Sequence, residues 1–293
     1  GQLEAESISW TVAPRLNAAG RLDHAMSGYN LLMAPTADEA RGLAAVLEEC
    51  NLERQRLTSL FVAKARDQVL SQTLTSLLLI ELEECPVGLL GLVAGRLADE
   101  FYRPSIVIRR DADKATASCR SIPGFNITDA IGRCGHLLTH YGGHSQAAGF
   151  SLNIHNLTEL SELLAEITIK ELASLDLQPI LTIDAEAMLQ ELGGGLFQML
   201  QDLAPFGEGN RPPLFVSRCV TVTDHRTIGS NGDHIKLRIT QGNITWEAVA
   251  FRQAEEIKKI LPNPLDVVYN LELDRFNGRE TLRLNILDFA QSI

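Results

Sequence analysis

Residues 118–150 read SCRSIPGFNITDAIGRCGHLLTHYGGHSQAAGF. Two polar stretches punctuated by glycine, Arg120–Gly124 and Gly142–His144, bracket a segment whose apolar spacing predicts a helix from Asn126 or Thr128 to about His140. The runs Ala115–Arg120 and Ala147–Leu152 read as strands, so the stretch is strand, turn, helix, turn, strand. Adjacent glycines let backbone N–H groups approach a ligand, because no Cβ stands in the way. An arginine beside a hydroxyl and free amides is the equipment for holding a phosphate. We take this stretch as the functional centre.

Working outward, Leu77–Glu83 and Ser105–Arg109 read as further strands and Gly91–Phe101 as a helix, with an amphipathic helix from Asn156 to about Leu175. Strands alternating with helices predict an α/β domain. Upstream, Thr36-Ala-Asp-Glu39 is a capping box. Leu43, Val46, Leu47, Cys50, Leu57, Leu60 and Phe61 follow at helical spacing, with no Pro up to about Gln72. That is a helix of about 50 Å at 1.5 Å per residue, long enough to connect two domains. Before it, Ala13-Pro-Arg-Leu-Asn-Ala-Ala-Gly-Arg-Leu22 sets Arg15 and Arg21 among small residues, where both can reach a shared polar site or remain solvated.

After Pro179 the texture changes. Ile180–Ile183 reads as a strand, Met188–Leu203 as helical around the Gly193–Gly195 break, and Ala204–Asn210 as loop. Four β-rich runs follow, Leu214–Arg226, His234–Thr240, Thr245–Phe251 and Leu265–Leu287, with a short helix at Gln253–Ile260. Asn231-Gly232 and Asn277-Gly278 are hairpin turns by composition, and the second divides the last run in two. Five strands with one inserted helix predict a small Greek-key barrel of the oligonucleotide-binding (OB) kind.

Composition narrows the function classes. At 293 residues, 45% hydrophobic and 22% charged, the chain is of globular type and long enough for several domains. No apolar run approaches the roughly 20 residues of a membrane-spanning helix, and a cytoplasmic setting with no membrane partner is the expectation. The chain opens on Gly1 and reads as a piece of something longer. Its five cysteines (Cys50, Cys85, Cys119, Cys134, Cys219) are scattered singly, against both a disulfide framework and a zinc site. The net charge is −11, yet Pro86–Phe150 carries seven Lys/Arg against five Asp/Glu, a local basic excess suited to a phosphate-binding cleft. His136 and His140 stand four apart on the predicted helix, a metal-ligand spacing that lacks a third ligand.

Six motifs then carry a resemblance. Ala13–Leu22, Gly88-Leu-Leu-Gly-Leu-Val-Ala-Gly-Arg-Leu97, Arg103-Pro104, Ser118–Phe125, Tyr141–Gly149 and Pro205-Phe-Gly-Glu-Gly-Asn210 together resemble the RecJ-type single-stranded-DNA exonucleases of the DHH phosphoesterase family, in that family's order. The resemblance implies an α/β DHH-associated domain preceded by a long linker helix and followed by an OB-type barrel. It divides the chain into 1–35, the tail of the DHH catalytic domain; 36–75, the connecting helix; 76–177, the DHH-associated substrate-binding domain; and 178–293, the OB domain. It implies 5′-to-3′ hydrolysis of single-stranded DNA in repair and recombination, with Mn²⁺ or Mg²⁺ held by a DHH domain. This sequence has no Asp-His-His run, so no metal ligands are expected within it and the chain alone is expected to be inactive.

By the same resemblance, Ser118 and Arg120 line the pocket for the 5′ end and His144 faces the catalytic cleft. Gly142 and Gly143 let the backbone pass close to the DNA, and Asn17 and Arg21 lie beside its path. Trp246, Phe251 and Phe276 are candidates for base stacking in the barrel and equally fit core positions. Cys85 stands where the family often has Trp, and Pro212 departs from the usual pattern after Asn210. Eleven Lys/Arg against fifteen Asp/Glu from Gln178 to Ile293 suit nucleic-acid binding poorly. A helicase or a single-strand-binding protein is the expected kind of protein partner. The alternatives are another DHH-type oligonucleotide phosphoesterase and a non-catalytic single-strand-binding replication accessory.

Overall fold

The computed structural model describes residues 7–22, 24–229, 232–274 and 280–292. The chain divides into two units, Gly1–Pro179 and Ile180–Ile293.

The first unit opens with helices α1 (Ala13–Leu22) and α2 (Met26–Leu32) and then the 34-residue α3 (Ala37–Leu70). The Thr36 hydroxyl accepts the Glu39 N–H at 3.3 Å, the N-cap that the sequence pattern predicts. Such a cap stabilises a helix by about 1 kcal/mol. The buried positions of α3, Leu47, Asn51, Phe61, Ala65 and Val69, form a stripe, while Val46 and Leu60 lie exposed. Ala18 and Ala19 of α1 are buried, and Arg15 pairs with Glu48 of α3. Arg15 is therefore spent on α3 and does not share a site with Arg21.

A mixed sheet follows in the order β1-β2-β3-β5-β4. It comprises β1 (Leu78–Glu81), β2 (Ser105–Asp111), β3 (Lys114–Arg120), β4 (Leu138–His144) and β5 (Ala147–Asn153), and only β1–β2 is parallel. Between them lie α4 (Val87–Phe101) and α5 (Ile127–Arg133), and α6 (Leu157–Leu172) comes after. Alternate side chains take opposite faces of a sheet. Ile106, Ile108, Ala117, Cys119, Phe150 and Leu152 therefore share one core with α5 and α6. Leu78, Ile80 and Val107 share a second core with Leu89, Leu90, Val93 and Leu97 of α4 and with Phe61, Ala65 and Val69 of α3. Cys85 belongs to this second core, its thiol pushed up to about 11 by burial.

The predicted helix to His140 is a correction. The α-helix ends at Arg133, a single 3₁₀ turn covers Gly135–Leu137, and His140 is already in β4. His136 and His140 thus do not face each other across a helical turn. Gly142–His144 is likewise the end of a strand, and the turn of its hairpin is Ser145–Gln146.

In the second unit no strand forms at Ile180–Ile183, whose three isoleucine and leucine side chains are exposed. The first strand is the short β6 (Ala185–Glu186). A 3₁₀ turn at Leu189–Glu191 and α7 (Gly194–Gln201) replace the single predicted helix. Then come β7 (Phe215–Ile228), β8 (His234–Gln241), β9 (Ile244–Ala250), α8 (Ala254–Ile260), β10 (Leu265–Asp274) and β11 (Thr281–Gln291). The order β10-β11-β9-β8-β7 closes through β10–β7, and β9–β11 is its parallel pair. This is the closed five-stranded OB barrel expected from the strand and helix order. Its core holds Ile235, Leu237, Ile239, Val267, Tyr269, Leu284 and Ile257 of α8. The predicted Asn231-Gly232 and Asn277-Gly278 turns and Phe276 lie wholly or partly outside the described residues.

Candidate nucleic-acid interface

Cross-strand register places the site. Arg120 stands opposite Ala147, and Ala147 opposite His144; Ser118 opposite Gly149, and Gly149 opposite Gly142. A third row runs Arg109, Thr116, Ser151, His140. Directly paired residues share a face, so these three rows form one face with two arginines, two histidines, three hydroxyls and no carboxylate. Arg120 and His144 sit at the same end of that face, two strand spacings or about 10 Å apart. The glycines and Ala147 keep the β5–β4 half of it low.

Helix α4 covers the other half with a seam of glycines. A Cβ on Gly91 would come 2.9 Å from both Arg120 Nη2 and Ser118 Oγ, and one on Gly95 3.8 Å from Arg120 Cγ. Gly88 meets the backbone of Arg21, whose Nη1 donates to the Gly88 carbonyl at 3.2 Å. Sparse side chains on this seam thus bring Arg21, Ser118 and Arg120 to one place. Arg120 also donates to its neighbour's carbonyl, Cys119 O, at 2.8 Å.

Two arginines that sequence reading missed join them. Burial pulls the Arg54 guanidinium below its ordinary value, and the like charges of Arg21 and Arg96 add to it. Burial and then the charge of Arg21 do the same to Arg120. Arg54 is fixed by the buried Asn51, whose Oδ1 accepts from Nε at 3.2 Å and Nη2 at 2.9 Å. Among the described residues none of these four arginines has a carboxylate partner. Four cations held together without an acid make a site for an anion, and a phosphate matches the fork of a guanidinium. The i, i+3 pair Asn51–Arg54 was visible in sequence, but the approach of α3 to α4 was not.

The other predicted residues fall as follows. Asn17 is exposed on α1, one turn before Arg21 and on the same side of the helix. Gly142 has open space around it. Gly143 has φ +152°, and a Cβ there would lie 2.3 Å from Ala147 O, so only glycine fits. His144 is exposed, and its carbonyl accepts from the Thr128 hydroxyl at 2.6 Å.

The barrel's outer wall is different. Along one cross-strand row Asp224, Arg238 and Glu247 alternate in sign. Glu247 receives Arg238 and Lys236, each at 3.1 Å, and Arg283 on β11 meets Glu272 at 3.0 Å and Asp274 at 2.9 Å. These cations are already paired. Trp246 packs against the barrel core and donates to Leu189 O at 3.0 Å, which removes it as a free stacking platform. Phe251 is partly exposed, edge-on to His234 at 5.3 Å.

A helix-backed mixed sheet ending in a Gly-Gly-His strand, with an OB barrel after it, defines a class. Residues 74–170 match the DHHA1 domain and residues 183–288 the RecJ OB domain. The curated relatives that it is similar to are RecJ proteins. The chain is 33% identical over 297 residues to the single-stranded-DNA-specific exonuclease RecJ of Bacillus subtilis, matching all of this chain and 38% of that protein. It is 27% identical to the Thermus thermophilus RecJ, over 98% of this chain and 40% of the relative. The crystal structure of T. thermophilus RecJ in complex with Mn²⁺ superposes with a TM-score of 0.80 at 25% identity, over 99% of this chain and 42% of that one. The Mg²⁺ complex gives 0.77 at 25% identity, over 99% and 44%. The chain spans 38% to 40% of the length of these curated relatives.

The divalent metal of those complexes has no matching ligand set among the described residues. No three His, Cys, Asp or Glu side chains converge there to hold an ion. Nor is any described helix long and apolar enough to cross a membrane.

Proposed function

We propose that this chain is the substrate-holding part of a RecJ-type 5′-to-3′ single-stranded-DNA exonuclease, with the Mn²⁺ or Mg²⁺ chemistry supplied by a DHH domain. One observation carries this: the glycine seam of α4 brings Arg21, Arg120 and the Ser118 hydroxyl together, Arg54 lies near enough to Arg21 and Arg96 to feel their charge, and none of these arginines has a carboxylate partner among the described residues. In this reading Arg120 and Arg21 fork onto a terminal phosphate and Ser118 donates its hydroxyl. Asn17 lies beside the strand's path. The strand then runs over Gly142 and Gly143, and His144 donates to a phosphate oxygen at the far side of the face.

The OB barrel supports an exonuclease on longer strands over a small oligonucleotide phosphoesterase. Its outer wall, charge-paired as it is, adds weak contacts rather than the main grip. Repair and recombination in the cytoplasm, with a helicase or a single-strand-binding protein presenting the strand, are the setting that this role implies.

The test is binding of single-stranded oligonucleotides with a 5′-phosphate or a 5′-hydroxyl to the 293-residue chain. We expect a preference for the phosphate that Arg120→Ala removes; equal affinity for both ends in the unmutated protein would overturn the pocket. With Mn²⁺ added the same chain should degrade neither strand, and sustained turnover would show that it holds its own catalytic centre.

A further inference from the structure

Around the outer edge of β4 from the phosphate face lies an open groove of about 550 Å³, lined by Asn126, Thr128, Gly132, Arg133 and Tyr141. Tyr141 falls between His140 and Gly142 in β4, so its side chain takes the opposite face of the sheet from theirs. Its ring rests on a Gly-x-x-Gly ledge. A Cβ built on Gly135 would lie 3.3 Å from Cε1, and one on Gly132 would lie 3.7 Å from Cε2. The glycines thus support the two sides of the ring tip. Tyr141 is nevertheless 49% exposed, and its hydroxyl has no partner among the described residues. The ring tip is seated against the glycine backbone, and about half of the side chain is open to solvent at the groove.

Asp129, His144 and Ser145 also line the groove, and three of its other polar side chains are engaged within the protein. Asn126 Oδ1 accepts the Asp129 N–H at 3.2 Å, the Thr128 hydroxyl donates to His144 O at 2.6 Å, and Arg133 pairs with Glu171. The aromatic floor of the groove is a stacking surface. Base-on-aromatic stacking is tolerant of sequence because every base has a π-face. Among the described residues no strand pairs beyond β4, and Gly142 and Gly143 carry no side chains to block passage over that edge.

We propose that this groove is a nucleobase site: a bound single strand leaves the phosphate face across Gly142–Gly143 and stacks one base on Tyr141, whatever its identity. The proposal rests on the single-strand reading above.

The experiment uses the 293-residue chain and 5′-phosphorylated oligothymidine in which one abasic position is moved along the strand, read by fluorescence anisotropy. The unmutated protein should lose about 5- to 150-fold in affinity when the abasic position is the one that meets Tyr141, and much less elsewhere. Placing A, C or G there should restore binding. Tyr141→Ala and Tyr141→Leu should bind the intact strand with the same loss and no longer sense the abasic position, while Tyr141→Phe behaves as unmutated. The leucine keeps the glycine ledge covered, so a loss shared by both variants belongs to stacking and not to unfolding. Tyr141→Leu binding as tightly as the unmutated chain, or a strong preference for one base, would overturn the proposal. The pocket for the terminal phosphate fails separately, by loss of the 5′-phosphate preference while the abasic profile persists.

Discussion

Two glycines of α4, Gly88 and Gly91, face different neighbours, and substitution should separate them. At Gly91 a methyl group meets Ser118 Oγ and the far end of Arg120, both at 2.9 Å. The guanidinium can swing away, and alanine is the better helix former by up to about 1 kcal/mol. Gly91→Ala should therefore leave the denaturation midpoint nearly unchanged while weakening binding of a 5′-phosphorylated strand. At Gly88 the methyl would lie 2.1 Å from the Arg21 carbonyl oxygen, a backbone atom that cannot give. Gly88→Ala should lose a few kcal/mol of stability. Equal stability losses at the two positions, measured by urea titration, would show that α1 and α4 do not meet as described. Thiol reactivity is a second check at this scale. Burial pushes Cys85 up to about 11 and Cys119 up to about 12, whereas Cys219 is exposed. At neutral pH, Cys219 should react first with an aromatic disulfide reagent, and Cys85 and Cys119 only on unfolding. The sequence showed Ser118 and Arg120 together because they are two apart on one strand. It hid the nearness of Arg54 to Arg21 and Arg96, which arises only when α3 packs on α4.

At the scale of elements, what could be read depended on how local the cause was. The long helix α3 was legible because Thr36 and Glu39 mark its start and buried residues recur along it. The helix predicted to His140 was over-extended because Leu137 and Leu138 suit a helix as well as a strand; the sheet edge claims residues from Leu138 onward. Ile180–Ile183 is apolar enough for a strand yet finds no partner strand, a matter no local pattern records. The barrel offers a device that only coordinates reveal. At Cys219 φ is +53°, and the pairing of β10 with β7 shifts between Leu265 and Val267. Asp266 holds this bulge: Oδ1 accepts the Cys219 N–H at 2.9 Å and Oδ2 the Arg218 Nη1 at 2.9 Å. The Cys219 N–H, followed by the other donors including Arg218, lowers the Asp266 pKa in the folded state. A lowered folded value means stability that is present above the ordinary carboxylate range and is lost as pH falls through the folded value. Thermal unfolding followed from neutral to strongly acid pH should show the Asp266→Asn barrel less stable than the unmutated one at neutral pH and converging with it in acid. A constant gap between the two across the whole range would remove the carboxylate from this role.

For the molecule as a whole, the decisive quantity is where positive charge remains unspent. The chain carries a net −11, and the paired cations of the barrel wall have carboxylates at about 3 Å. A polyanion approaching such a protein is repelled on average and attracted at the arginine cluster and the polar sheet face. Counterion release then makes the number of phosphates held a measurable slope. For a single strand, log affinity against log salt falls by about 0.7 per neutralised phosphate, so three or four contacts give a slope of about −2 to −3. Arg120→Ala should make that slope shallower by about 0.7 if the cluster carries the grip. The paired double substitution Lys236→Ala and Arg238→Ala on the barrel should leave it almost unchanged, because those cations give up carboxylates before they can meet a phosphate. The reverse result, a slope governed by Lys236 and Arg238 and indifferent to Arg120, would transfer the main strand-binding surface to the barrel and leave the converging arginines without a function in binding.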